Sequence, residues 1–526
     1  MKNQINNRLF GFIKEDATAG FLVFLLALPL SLGIAKASGF PASMGILTAM
    51  IGGIVVSLFP NGSPLSIKGP AAGLITICSA AIIEFGQLAG ADNALPIVAA
   101  MLAVVAVVQV AMGFLKVGSL SELFPHSAVH GMLAAIGIII MAKQIPVLLG
   151  DDPMIYKGEG PLELLADIPR FIVNAHPHIA TVGLIGLVIL FALPYVPVPA
   201  LKKVPAPMWV LLMAVPMALA WHFSQSEPSY ALVQIGDFWG SIKIRPNFSL
   251  MGSFVFWKYV FMFLFVNSLE SLLTVKAVDN LDPQKRKTNP NSDLIALGVG
   301  NGISGLLGGL PMISEVVRSS ANVGFGAKGR GANFFHGIFL FLAMILIIPL
   351  IEMIPNSALA AMLIFAGFRL ASPKEFIKTY HLGIEQLAIF LVTILVTLLE
   401  DLLLGVAAGI VLKMLFHLWA GAPFLSLFRS RHSIEQTDEA TIVHVEESAV
   451  FTNILTFTTV LSTLPKNKPV VLDFSHCQLV DNPFMEFVEH TGSDWEMEGR
   501  ELRVQGLDAL APMSKHPLAT RRKINA

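Results

Sequence analysis

The sequence predicts a polytopic α-helical membrane protein, its apolar part divided as a 7+7 inverted repeat, followed by a small α/β unit. Three observations predict it. Of 526 residues, 54% are hydrophobic and only 13% charged, where a soluble globular chain carries roughly a quarter; the mean hydropathy is +0.70. The apolar residues gather in blocks long enough to cross a hydrocarbon core, which takes about 20 residues as helix. After about Phe428 the composition turns abruptly charged.

Fourteen hydrophobic segments follow one another at roughly 17–36, 42–59, 70–85, 94–115, 127–149, 177–196, 206–222, 254–275, 291–307, 312–325, 332–352, 356–371, 384–400 and 402–419. The polar start, with Arg8, Lys14, Glu15 and Asp16, runs into the first segment without a convincing small-residue cleavage site, so that segment reads as a retained helix. Segments 70–85 and 312–325 are short for a full span. Lys and Arg set the orientation. One set of loops holds Lys68, Lys116, Lys202, Lys203, Lys276, Lys285, Arg286, Lys287, Lys328, Arg330, Arg369, Lys374 and Lys378. The opposite set is poorer, with Lys36, Lys157 and Arg170 among Asp151, Asp152, Glu159, Glu163 and Asp167, and Lys243 and Arg245. The positive-inside rule therefore expects both termini in the cytoplasm; the membrane is expected to be a bacterial inner membrane.

Residues 1–428 thus form a transmembrane domain and 440–526 a cytoplasmic α/β domain. Ala440–Val445, Val470–Phe474 and Glu501–Val504 read as strands, with Pro469 at a strand start, where proline is tolerated. Phe451–Leu464 and Pro483–Thr491 read as helices, and the alternation suggests a parallel or mixed sheet. Ser514 to Ala526, with Lys515, Arg521, Arg522 and Lys523, reads as a solvated tail.

Fourteen spans divide as seven plus seven, and in both halves the third short segment opens on a Gly-Pro signal. The third segment reads Ser66-Ile67-Lys68-Gly69-Pro70-Ala71-Ala72-Gly73, and the tenth reads Gly308-Gly309-Leu310-Pro311-Met312-Ile313-Ser314. Matched interrupted segments in two halves point at the binding site of a secondary transporter. Read as helix starts, with proline in the first turn, they would present unpaired N–H groups and positive dipole ends to an anion. The plainer alternative is a pair of kinked ordinary spans, since Gly and Pro are common in membrane helices.

Charged side chains at membrane depth default to a functional hypothesis. Glu270 lies in the eighth segment with Thr274 one turn on; Glu315 and Arg318 lie on the tenth, three apart and so on one helix face. Arg318 is the natural anion ligand, permanently charged and donating in a fork; its alternative role is a structural pair with Glu315. Glu270 and Thr274 would hold a coupling ion, sodium or a proton, and Glu315 either joins them or serves as the counter-ion of Arg318. Lys68 reads as interfacial, its stem snorkelling to water. His126 and His130, flanking the fifth segment, read as interfacial too.

Other chemistries find little support. No Gly-x-x-x-x-Gly-Lys-Ser/Thr loop is present for ATP-driven transport, and no His-Glu-x-x-His for zinc. Gly300, Gly302, Gly305, Gly308 and Gly309, inside an apolar run, suit close helix packing better than a nucleotide loop. Net charge is −1, which offers no footprint for nucleic acid, and Cys78 and Cys477 fall in unlike segments with no disulfide or metal pattern. No nucleophile–base constellation suggests an enzyme.

Ala27-Leu28-Pro29-Leu30-Ser31-Leu32-Gly33-Ile34-Ala35 with Gly39-Phe40-Pro41 resembles the first-span signature of SulP anion transporters. Leu269-Glu270-Ser271-Leu272-Leu273-Thr274 resembles their eighth span, and Asn301 to Pro311 the approach to their tenth. The resemblance covers essentially the whole chain. It implies the uracil-permease-like fold, with a core domain of spans 1–4 and 8–11 and a gate domain of spans 5–7 and 12–14, a homodimer, and an elevator-like movement. It places the anion at Gly69, Pro70, Ala71 and Ala72 and at Met312, Ile313 and Ser314. Arg318 resembles the tenth-helix arginine of the animal branch. Glu270 and Thr274 resemble the acidic residue and threonine that coordinate sodium in cyanobacterial bicarbonate members, where other bacterial members are thought proton-coupled. Two departures stand out: the tenth segment is bulkier than the Gly/Ala-rich bicarbonate version, and Glu315 beside Arg318 fits neither branch. The C-terminal unit resembles a STAS domain with Val471-Leu472-Asp473-Phe474-Ser475 as its central strand and a short end. Asn482 follows Asp481 where related anti-sigma antagonists carry a phosphorylatable residue, which implies no phosphoswitch there.

The expected function is secondary active transport of a small inorganic oxyanion, bicarbonate or sulfate, by symport with sodium or protons and alternating access. The alternatives are a dicarboxylate carrier on the same fold, or a non-transporting sensor or scaffold acting through its STAS-like domain. A nucleobase carrier lacks base-stacking aromatics beside Pro70 and Pro311, and a channel would differ by its lack of saturation.

Overall fold

The computed structural model describes residues 9–59, 62–118, 125–151, 155–156, 159–198, 201, 204–242, 246–400, 402–465, 468–497 and 499–523. Arg8, Asp152, Lys157, Lys202, Lys203, Lys243 and Arg245, which the charge argument uses, lie outside them. Each of the fourteen apolar segments holds a helix among the described residues. They are α1 Ile13–Ala37, α2 Ala42–Ile54, α3 Ile75–Ala89, α4 Ala91–Phe114, α5 His126–Leu149, α6 Pro177–Ala192 and α7 Ala206–Ala220. The second half gives α8 Phe254–Leu281, α9 Pro290–Leu306, α10 Val316–Gly324, α11 Gly331–Leu346, α12 Asn356–Leu370, α13 Ile384–Leu399 and α14 Leu402–Trp419. By length and composition seven of the described helices suffice to cross a membrane alone: α1, α3 with the turn before it, α4, α5, α6 with the turn after it, α8 and α14. Local chemistry starts them where expected. The Asn289 side chain accepts the amides of Asn291 and Ser292 ahead of α9, whose first residue is Pro290, and Ser253 accepts the Phe256 amide at the start of α8.

Two compact units form, one within 1–118 and 136–370, the other within 119–135 and 371–526. In the first, small residues let helices close on one another. A Cβ at Gly53 of α2 would lie 2.6 Å from the Cα of Gly337 in α11, and one at Gly305 of α9 would lie 2.7 Å from Leu102 Cβ in α4. Gly305 thus does what the glycine run predicts. Gly308 has φ +86 and turns the chain out of α9, a conformation glycine adopts without strain.

The Gly-Pro segments differ from expectation. They are not first helical turns but two short strands, β1 Lys68–Pro70 and β2 Met312–Ser314, paired antiparallel with Lys68 opposite Ser314, Gly69 opposite Ile313 and Pro70 opposite Met312. The helices begin after them, α3 through a 3-10 turn at Ala72–Leu74 and α10 at Val316. The ladder explains why proline is tolerated. Ala71 N–H donates to Pro311 O (3.4 Å) and Glu315 N–H to Ile67 O (2.9 Å), so the bonded pairs fall at odd positions and Pro70 sits in a non-bonded pair, where a missing N–H costs no ladder bond. α10 has nine residues, a rise of about 13 Å against a hydrocarbon core of about 30 Å. Such a helix is too short to cross a membrane alone.

The second unit contains a six-stranded sheet: β3 Arg431–Gln436, β4 Thr441–Ala449, β5 Val470–Val480, β6 Leu502–Gln505, β7 Ala511–Pro512 and β8 Arg521–Arg522, ordered β3-β4-β5-β8-β7 with β6 also on β5. β4 and β6 run parallel to β5, while β8 is antiparallel. Helices Ile454–Thr463 (α15) and Asn482–Met497 (α16) bury Phe457 and Phe484 against Val443, Leu472 and Phe474. The mixed sheet and its central strand match the STAS-like reading. The solvated tail does not hold: Arg521–Arg522 pair with β5, Ala519 and Thr520 are buried, and the Ser514 hydroxyl donates to Leu382 O at 2.8 Å. His126 and His130 are partly exposed and paired, with Glu486 at 2.6 Å and Glu375 at 3.3 Å.

Candidate functional site

The two strands carry the predicted residues into one place in the first unit. Gly69 and Ile313 face each other in the ladder, Pro70 and Met312 follow, and Ala71 and Ala72 lead into α3. Met312, Ile313 and Ser314 are all buried. Their backbone is already engaged. Met312 N–H donates to Asn301 Oδ1 (2.7 Å), and Met312 O accepts from Asn267 Nδ2 (2.8 Å). Ser314 N–H donates to the Ser271 hydroxyl (3.2 Å). The strand amides at Ala71, Met312, Ser314 and Glu315 therefore have protein acceptors. The backbone donors suited to an anion are the first amides of α10, which have no acceptor within the helix.

Arg318 projects from that first turn and is 0% exposed. It lies across β1: a Cβ at Gly69 would sit 2.5 Å from Arg318 Nη1. Glu315, in extended conformation just ahead of α10, places Oε2 3.0 Å from Arg318 Nε. Both terminal nitrogens of the guanidinium, Nη1 and Nη2, lack a hydrogen-bond acceptor among the described residues, as does Nε by hydrogen-bond geometry. A buried guanidinium with a free fork matches the bidentate recognition of oxyanions.

Glu270, on α8, lies against the start of α3: a Cβ at Gly73 would be 2.3 Å from its Oε2. That oxygen is buried without a partner among the described residues, and so is Glu315 Oε1. The two carboxylates are near enough for their charges to interact. Thr274, one turn along α8, is buried.

Lys68 is not interfacial. It is 2% exposed, and its Nζ donates to both carboxylate oxygens of Asp293 (2.8 and 2.7 Å) and to the Ser314 hydroxyl. The lysine sits inside because a buried carboxylate on α9 takes its charge. Asp293 Oδ1 also accepts the Ser63 amide (3.1 Å), and Asn333 Oδ1 accepts the Lys68 amide (3.3 Å). Sequence reasoning missed Asp293, which shows only as an acid inside the ninth apolar segment. It also missed the uncharged network Gln109–Asn267–Asn301, in which Gln109 Nε2 donates to Asn267 Oδ1 (2.9 Å) and Asn301 Nδ2 to Gln109 Oε1 (3.0 Å). Amides in apolar runs were the available signal. His336 on α11 was missed as well. It is 0% exposed, neither ring nitrogen has a partner among the described residues, and it lies within reach of the Arg318 charge.

A model of the sulfate permease family matches residues 13–393. The candidate sulfate transporter YvdB of Bacillus subtilis is 26% identical over 441 residues, 83% of this chain and 76% of that one. Bicarbonate transporter BicA of Picosynechococcus is 26% identical over 417 residues, 77% of this chain and 70% of that one. Among solved structures, the transmembrane domain of a cyanobacterial BicA matches with a TM-score of 0.65 at 22% identity, over 76% of this chain and 98% of that one. The overall structure of SLC26A9 matches with a TM-score of 0.67 at 15% identity, over 95% and 85%. At these identities the structural likeness shows a shared helical membrane fold.

Proposed function

Since the chain belongs to the sulfate permease family, whose members are transporters and not enzymes, we propose that it is a secondary active transporter of bicarbonate or sulfate. The observation that carries the proposal is Arg318, a fully buried guanidinium with an unpartnered fork beside the first turn of α10. In water-poor surroundings such a charge attracts an oxyanion strongly, and both the fork and the α10 amides donate toward it. Gly69 to Ala72 and Met312 to Ser314 form the wall of this site, the glycine giving the guanidinium room. Glu270, with Thr274, takes the coupling cation, a proton or sodium, because a buried carboxylate whose Oε2 has no hydrogen-bond partner among the described residues gains most from a cation partner. The transport domain is residues 1–428, the cytoplasmic STAS-like domain 440–526, and the protein works as a homodimer in a bacterial inner membrane with both termini cytoplasmic. The β1–β2 ladder and its helices move as one body between the two faces of the membrane, an elevator-like form of alternating access.

The test is uptake of radiolabelled bicarbonate and sulfate into proteoliposomes under imposed sodium or proton gradients. Saturable, gradient-driven uptake of one anion, lost in Arg318→Ala, is expected, and Glu270→Gln should uncouple uptake from the gradient. Folded protein that takes up neither anion overturns the proposal.

A further inference from the structure

The charges at the crossing do not balance. Glu270 and Glu315 bring two negative charges and Arg318 one positive: Glu315 lies 3.0 Å from Arg318, and Glu270, against the start of α3, is near enough to Glu315 for their charges to interact. The neighbours leave that sum unchanged. Lys68 of β1 is neutralised by Asp293 of α9. On α1, Asp16 is held by the Lys328 and Gly329 amides (2.8 and 2.9 Å). Elsewhere on α8, Lys258 pairs with Glu84 (3.3 Å), Asp279 accepts from Thr288 (2.7 Å), and Lys276 is exposed. His336 of α11 is the other titratable group close to Arg318. With both carboxylates ionised the site is net negative, and an arriving anion deepens the imbalance in a low-dielectric setting, where an unpaired charge is costly.

Glu315 also neutralises the charge that would draw an anion to the open fork. Its carboxylate lies 3.0 Å from the guanidinium Nε without hydrogen-bond alignment, while its own Oε1 has no partner among the described residues. It is a weakly docked ligand tethered three residues from the charge it neutralises. We propose that Glu315 is a built-in competitor for the anion: the oxyanion binds Arg318 by displacing the Glu315 carboxylate, which takes a proton from the open side of the membrane as it leaves. The balance closes. One proton adds to Glu315, its ion pair with Arg318 breaks, and the guanidinium pairs with the anion instead. On release the proton departs with the anion, and Glu315 returns to Arg318. Anion and proton therefore exchange for one internal salt bridge. This role rests on the anion-transport reading and makes Glu315 a proton site of its own, beside the coupling-ion site at Glu270.

The consequence is a pH-dependent KM. In wild-type proteoliposomes the KM for the transported anion should rise as the pH of the uptake side rises. In Glu315→Gln the competitor is gone: KM should fall roughly fivefold or more, the low end of coupling between two mutually exclusive ligands, and its pH dependence should flatten. A Glu315→Gln protein with wild-type KM and wild-type pH slope overturns the inference and leaves anion transport standing. Failure of folded wild-type protein to take up any anion overturns transport itself. A second measurement does not depend on the variant folding. Calorimetric titration of detergent-solubilised wild-type protein with the anion, in two buffers of different ionisation enthalpy, should show net proton uptake on binding; binding with no proton uptake sinks the proposal.

Discussion

A methyl group added at Gly69 would sit 2.5 Å from Arg318 Nη1, and one at Gly73 would sit 2.3 Å from Glu270 Oε2. Both carboxylate and guanidinium end a flexible side chain, so each would swing away and the fold would absorb the change at about 1–3 kcal/mol. Gly69→Ala and Gly73→Ala are therefore expected to lose most uptake while remaining monodisperse on size-exclusion chromatography. Lys68 behaves differently. Lys68→Met strands a buried Asp293, at a cost of about 3–5 kcal/mol, whereas Lys68→Met with Asp293→Leu replaces the pair by apolar contacts and should recover most of it. Thermal unfolding of the two proteins checks this. Residues of this kind are legible to different degrees. Arg318 and Glu270 stand out because a charge in an apolar run is rare and defaults to a functional hypothesis. Lys68, one residue before a Gly-Pro signal, looks like a loop charge, and its partner is 225 positions away in sequence.

Among the elements, the helices follow from apolar blocks and caps, while the strands beside the site do not. Three residues of β1 and three of β2 carry no alternation to detect, and Gly-Pro signals a helix start as readily as an extended segment. The two-residue strands β7 and β8 escaped for the same reason, so the tail looked solvated. In the C-terminal sheet, His444 of β4 contacts Glu435 of β3 through Nε2 (3.1 Å) and Asp473 of β5 through Nδ1 (3.0 Å). The bond to Glu435 raises its pKa most; burial opposes and Asp473 adds to the rise. Burial pushes the Asp473 carboxyl up, but Ser475, His444 and Gln505 outweigh it and hold that carboxyl below its usual range. A raised histidine contributes stability that is fully present below its unfolded pKa, about 6.5, and is lost as pH rises through the folded value. His444→Ala should thus destabilise the sheet by about 0.5 kcal/mol at pH 6, after solvent screening, and by less at pH 9. Thermal melts of the full chain at the two pH values measure the difference.

In the molecule as a whole, the second unit ties its last apolar helix to its sheet through one buried acid. Asp481 Oδ2 lies 3.5 Å from Lys413 Nζ and 3.3 Å from His417 Nε2 of α14, and it accepts the Phe451 amide (3.1 Å). Burial drives this carboxyl up, and Lys413, His417 and the Phe484 amide more than compensate, holding it below its usual range. Asp481→Ala leaves Lys413 buried and unpaired, which should cost about 3–5 kcal/mol and expose the C-terminal domain to limited proteolysis. In the sequence Asp481 figures only as the residue before Asn482; its structural partners on α14 were hidden as polar residues in an apolar run.

The strand crossing has a further consequence in time. Lys68 and Ser314, joined side chain to side chain, are 246 positions apart. At about 5–20 residues per second a ribosome needs roughly 12–50 s to make that stretch. For that interval the nascent chain holds one half of a ladder, with Lys68 lacking both its strand partner and, until α9 emerges, its carboxylate. The site cannot nucleate locally or early. It is a high-contact-order closure, made only once the second half of the chain arrives to complete the first.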